Sequence, residues 1–145
     1  MIYHFDGYNY LVRLAKGERL IESLTTLATK QDLKATWISG LGGAQWVELG
    51  FYDLEQKQYL WKRFDQLMEV TSLQGNVAWN GDHPVWHVHG TLSGRDYQAI
   101  GGHVKELCVG GTVELHLHTI FNSRFAREHD EDTGLDLLDL HRERA

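Results

Sequence analysis

The chain has one cysteine, Cys108, and one proline, Pro84, in 145 residues. A single thiol excludes an intrachain disulfide framework and a Cys-rich zinc module, and it suits a reducing cytoplasm. Long apolar runs are also missing. The uncharged stretch from Ala35 to Val47 is shorter than the ~18 apolar residues of a membrane span and is broken by glycines. The start, Met1 to Gly7, shows no basic segment followed by an apolar run, so no targeting segment is expected. Basic residues are in deficit, with 14 Lys+Arg against 20 Asp+Glu and a formal net charge of −6. That balance argues against a nucleic-acid surface spread over the whole protein, although a local basic patch is compatible with it. There is no low-complexity run, sequence repeat or linker.

What is there reads as an ordinary globular domain. Hydrophobic residues make up 42% and charged residues 23%, close to general usage. The length fits one domain over 1–145, because domains commonly run ~100–150 residues. Histidine is the outlier, with nine copies. Protonating all nine would carry the net charge from −6 to +3, so acid changes this surface strongly.

Periodicity divides the chain into one helix and many strands. Tyr8 to Leu14 alternates as a strand. From Glu18 to Asp32 the spacing of Leu20, Ile21, Leu24, Leu27 and Ala28 is helical, with Glu18 near the start and Lys30 near the end, as the helix dipole prefers. Beyond it, Thr36–Ile38, Trp46–Tyr52, Tyr59–Trp61, Leu67–Val77, Val85–Leu92 and Thr112–Ile120 read as strands. Turns are expected at Asn80-Gly81-Asp82 and Ser93–Asp96. The acidic tail from Glu128 to Asp139 reads as a solvated face whose leucines still pack onto something. The fold class is therefore α/β of the α+β type, a single compact domain. It combines a largely antiparallel sheet with one long helix and a few shorter ones.

Three groups of residues could carry chemistry. His87 and His89 lie two apart on one strand and so share a face. The turn after Ser93 can return His103 beside them. Three neutral imidazoles with an open position form the ligand set of a catalytic zinc site, and imidazole suits other late transition metals too. The alternative is three ordinary surface or hydrogen-bonded histidines. His83 precedes Pro84 and need not point inward. Glu114, His116 and His118 share one face of the last strong strand, which reads as solvated, as a subunit contact, or as a supplement to the metal site. Glu69 is a second candidate carboxylate. The pairs in Gly40–Gly43, Gly101-Gly102 and Gly110-Gly111 read as tight turns or as close backbone approach between subunits. No Lys-Ser/Thr or GxGxxG supports a phosphate loop.

Leu14–Leu20, Ile38–Gly43, Leu73–Val77, His87-Val88-His89, Gly101-Gly102-His103, Thr112–Glu114 and Arg127–Leu135 together resemble the plants and prokaryotes conserved (PPC) domain family, in order and spacing over nearly the whole chain. The resemblance implies a compact unit assembled as a homotrimer. In plant members the domain accompanies AT-hooks that bind AT-rich DNA, and prokaryotic relatives carry a provisional DNA-binding label for that reason. This sequence has no Arg-Gly-Arg-Pro core, so tight direct DNA binding is not expected. The fold is also similar to acetolactate decarboxylase, whose zinc is held by a His-x-His pair and a later histidine. His87, His89 and His103 match that pattern, which implies a divalent metal, best zinc. The functional expectation is a cytoplasmic, stand-alone prokaryotic PPC-like protein with a three-histidine metal site, no membrane association and room for a small-molecule ligand. The alternative is a metal-dependent lyase or hydrolase, in which the metal polarises a carbonyl or activates water.

Overall fold

Residues 1–121 and 123–140 are described in a computed structural model. Their elements in chain order are β1 (Ile2–Phe5), β2 (Asn9–Ala15), α1 (Leu20–Gln31), β3 (Thr36–Asp53), β4 (Gln58–Phe64), β5 (Met68–Asn80), β6 (His83–Ser93), β7 (Ala99–Thr119), β8 (Ala126–Asp130) and β9 (Leu135–Asp139). All pairings are antiparallel except a single parallel bridge from β5 to β8, Trp79 to Ala126. The long strands β3 and β7 run beside each other. β5 pairs with β3, and β6 pairs with both β5 and β7, so these four strands close a ring.

The sequence reading expects a few shorter helices. Among the described residues α1 is the only helix. The connections 54–57, 81–82, 94–98 and 131–134 are hairpin turns too short to hold another. The glycine pairs are not turns either. Gly40–Gly43 lies inside β3, and Gly101-Gly102 and Gly110-Gly111 lie inside β7. Register shifts between Gly40 and Gly42 and between Gly42 and Ala44 bend these strands within one chain.

The helix forms for the reasons its sequence suggests. Leu20, Leu24, Leu27 and Ala28 are wholly buried along one face, where each leucine contributes about 1.5–3 kcal/mol over exposure. Arg19 at the N-cap offers no capping side chain. The buried Glu106 of β7 replaces it, accepting hydrogen bonds from the Ile21 and Glu22 amides at 2.8 and 3.3 Å. A carboxylate there also suits the positive end of the helix dipole. Burial alternates along β2 (Tyr10, Val12, Leu14 inward) and along β7 (Val113, Leu115, Leu117 inward). The opposite face of β7 carries Glu114, His116 and His118, all exposed. The acidic tail forms the β8–β9 hairpin. It is tied to the β3–β4 hairpin by hydrogen bonds from Tyr52 Oη to the Thr133 carbonyl and from Lys57 Nζ to the Glu131 carbonyl, at 2.8 and 2.6 Å.

Candidate metal centre

The sheet's register brings the three candidate histidines together. On β6, Trp86, Val88, Gly90 and Leu92 face the core, so His87 and His89 project from the other face. The turn at residues 94–98 folds β7 back along β6, where His103 is the direct partner of His89. The β6–β7 hairpin, turning just after Ser93 where the sequence places a turn, therefore makes this meeting.

His87 Nε2 and His89 Nε2 are 3.1 Å apart. One ligand atom from each of His87, His89 and His103 can be chosen so that all lie within 4.8 Å of one another. Two nitrogens bound at ~2.0–2.1 Å to a tetrahedral ion sit about 3.3 Å apart, so the closer pair already has near-ligand spacing. Without an ion, one neutral ring can donate to the other. The protonation state also suits ligation. Burial pushes His103 down to about 4, helped by neighbouring His87, His89 and Arg127. Burial likewise lowers His87, with Arg127 and His89 adding to the effect. Both rings are therefore neutral at pH 7 with lone pairs available, and the donor set fits a borderline divalent ion such as zinc.

Aromatic rings wall one side. Gly50 of β3 lies opposite both Trp61 of β4 and His103. A Cβ on Gly50 would stand 2.5 Å from the Trp61 ring and 2.8 Å from Tyr59, so only glycine lets these rings lie across β3. Tyr59 stacks on Trp61 at 4.6 Å and reaches His103 at 4.9 Å between ring centroids. Its hydroxyl is 3.5 Å from His103 Nδ1, the kind of outer contact that orients a ligating imidazole.

The β8–β9 hairpin supplies the opposite wall. A cavity of about 560 Å³ is lined by His87, His103, Tyr59, Arg127, Leu135 and Asp136, among others. Sequence reading missed Gly50, Tyr59, Trp61 and Arg127. Tyr59 and Trp61 had a signal in their i, i+2 spacing on one strand. Arg127 had none, because its place depends on the tail folding back across β5.

The other candidates lie elsewhere. Among the described residues, Glu69, Glu114, His116 and His118 belong to no metal-capable cluster. Glu114 and His116 line a separate groove with Ser39 and Leu41, and His118 Nδ1 meets Asn9 Oδ1 at 2.9 Å. His83 is exposed at the start of β6.

The model of the Plants and Prokaryotes Conserved (PCC) domain matches residues 1–121. The chain belongs to that family. A crystal structure from Bacteroides thetaiotaomicron, provisionally named a DNA-binding protein, is 26% identical with a TM-score of 0.92, covering 97% of this chain and 98% of its own. A protein from Archaeoglobus fulgidus described as metal-containing is 30% identical with a TM-score of 0.85, covering 95% of this chain and 98% of its own. A Staphylococcus aureus protein described as similar to alpha-acetolactate decarboxylase shares the fold alone, at 10% identity and a TM-score of 0.56, covering 77% of this chain and 52% of its own. No curated protein matches. No helix among the described residues is long and apolar enough to cross a membrane.

Proposed function

We propose that this PCC-domain protein binds one divalent metal ion, best zinc, through His87, His89 and His103. The clustering of three imidazole ligand atoms within 4.8 Å carries the reading. The metal-containing description of the Archaeoglobus relative supports it. Three protein ligands leave a position open, as in catalytic rather than structural zinc sites. Bound metal would act there as a Lewis acid towards a small molecule, and no particular lyase or hydrolase step is assigned. Elemental analysis of protein purified without chelator should find about one ion per chain. Metal-free protein that also fails to take up zinc, manganese or nickel overturns the proposal.

The assembly we propose is a homotrimer. A groove of about 700 Å³ on the outer face is lined by Ile2, Leu11 and Leu41, exposed by 58%, 57% and 56%. Such a rimmed apolar surface calls for a partner, and the family resemblance makes that partner further copies of the chain. Sedimentation equilibrium should give three times the chain mass at micromolar concentration, and a monomer there rules the trimer out.

Direct DNA binding is not the proposed role, despite the provisional name of the Bacteroides relative. The affinity of DNA-binding proteins rests largely on phosphate neutralisation and falls steeply with salt. This chain has an acidic excess and no AT-hook. The isolated protein should leave AT-rich duplex unshifted at physiological salt, and a micromolar shift would reverse this view. The buried lone Cys108 suits the cytoplasm as its compartment.

A further inference from the structure

Beside the three histidines, the cavity wall carries a guanidinium, Arg127, with a donor left unused among the described residues. Arg127, on β8, is half-buried in its wall. Its guanidinium is fixed from two sides, with Nη1 donating to the Asp136 main-chain oxygen at 3.1 Å and Nη2 donating to Asn76 Oδ1 at 2.9 Å. Both partners are neutral. The Nε donor is buried and has no partner among the described residues, an arrangement native proteins rarely leave without a ligand or water. Among the described residues, the cavity has one acidic lining side chain, Asp136. That carboxylate is engaged by His129 Nδ1 at 3.0 Å. Lys57 and His129 also line the wall, but both are exposed and lie near the carboxylates of Asp130 and Glu131. Imidazole ligands bring no negative charge, so a divalent ion held by them would keep its own charge. Burial makes the Arg127 charge costly, and the Asp136 carboxylate offsets that cost only in part.

We infer that the cavity between the histidine cluster and the β8–β9 hairpin binds a small carboxylate, with Arg127 as the residue that recognises it. A guanidinium held in place offers its remaining N–H groups at fixed geometry, which matches a planar carboxylate better than a lysine would. Val85, Leu135 and Leu137 supply the apolar part of the lining, so the acid carries a short apolar body. The volume of about 560 Å³ lies within the ~300–1,000 Å³ of small-molecule sites. The location beside His87 and His103 puts the ligand within reach of the open metal position. The inference therefore deepens the metal-site reading and takes the nature of the ligand from it, while Arg127 itself belongs to the chain with or without metal.

The test uses isobutyrate and its neutral amide, isobutyramide, titrated by calorimetry into full-length protein in zinc-loaded and chelator-treated forms. Isobutyrate should bind at least one form, and isobutyramide should bind at least about tenfold more weakly, as expected when charge-assisted hydrogen bonds are lost. Arg127→Gln should weaken isobutyrate by a similar factor while metal content stays unchanged. Arg127 also braces Asn76, so its variant could fold poorly. In that event the comparison of acid with amide on the wild type decides alone. No isobutyrate binding to either form, equal binding of acid and amide, or full affinity in a folded Arg127→Gln protein overturns the carboxylate site. Metal content separates the two readings. A full complement of zinc without isobutyrate binding leaves the metal site standing, and a metal-free protein that binds isobutyrate through Arg127 leaves the carboxylate site standing.

Discussion

Replacing His89 with alanine should strip the protein of its divalent metal while leaving fold and melting temperature close to those of the metal-free wild type. His89 is the exposed member of the cluster. Its Nε2 approaches His87 Nε2 at 3.1 Å, and the core is packed by Val88 and Gly90 on the other face of β6. Truncation therefore opens no cavity, and a surface change of this kind shifts stability by only about 0.5 kcal/mol. The loss in metal affinity should be far larger. Removing an outer contact to a metal ligand already costs about 10–100-fold, and removing one of three ligands exceeds that. The measurement is zinc content by elemental analysis, paired with thermal melting of chelator-treated samples so that bound metal does not raise the wild-type midpoint. A variant that keeps full zinc content ends the three-histidine assignment. A variant that loses metal and also melts far below the metal-free wild type shows that His89 holds the fold.

Much of the fold was legible because its periods are clean. Leu20, Leu24, Leu27 and Ala28 announce α1, and its observed span Leu20–Gln31 falls within the expected Glu18–Asp32. Val113, Leu115 and Leu117 announce the buried face of β7. The metal candidates were legible for the same reason, since the i, i+2 rule needs only a strand. The glycines misled because Gly40–Gly43 in a sequence looks like a turn. In the fold they let two bent strands pass closely, and closeness between strands 70 residues apart leaves no local mark. Arg127 was hidden by topology. One parallel bridge, Trp79 to Ala126, swings β8 over the site, and nothing in Glu128 to Asp139 specifies that the hairpin lands there rather than in solvent. The helix cap was hidden likewise, because Glu106 comes from a strand more than 80 residues away.

Gly75→Ala should unfold the protein more readily and weaken the metal site at once, which separates it from His89→Ala. Gly75 lies buried in β5, opposite Val88 and flanked by the pairs Gln74–His89 and Asn76–His87. A Cβ added there would stand 2.3 Å from the His87 main-chain oxygen and 2.9 Å from Val88 Cα. No side-chain rotation relieves a collision with backbone, so β5 and β6 must part. Overpacking of this kind costs about 1–3 kcal/mol and more when backbone must move. We expect about 2–4 kcal/mol, or roughly 5–15 °C in melting temperature for a domain of this size. The displaced strand is the one that carries His87 and His89. The spacing of their ring nitrogens should widen and zinc affinity should drop with it. Gly111→Ala is the matched control, because a Cβ on Gly111 meets nothing within 4 Å although the residue sits in the same long strand as His103. Its melting temperature and zinc affinity should equal those of the wild type. If Gly75→Ala also melts within about 1 °C of wild type, below the shift that even 1 kcal/mol produces, then the close contact between β5 and β6 at His87 does not set the geometry of the metal site.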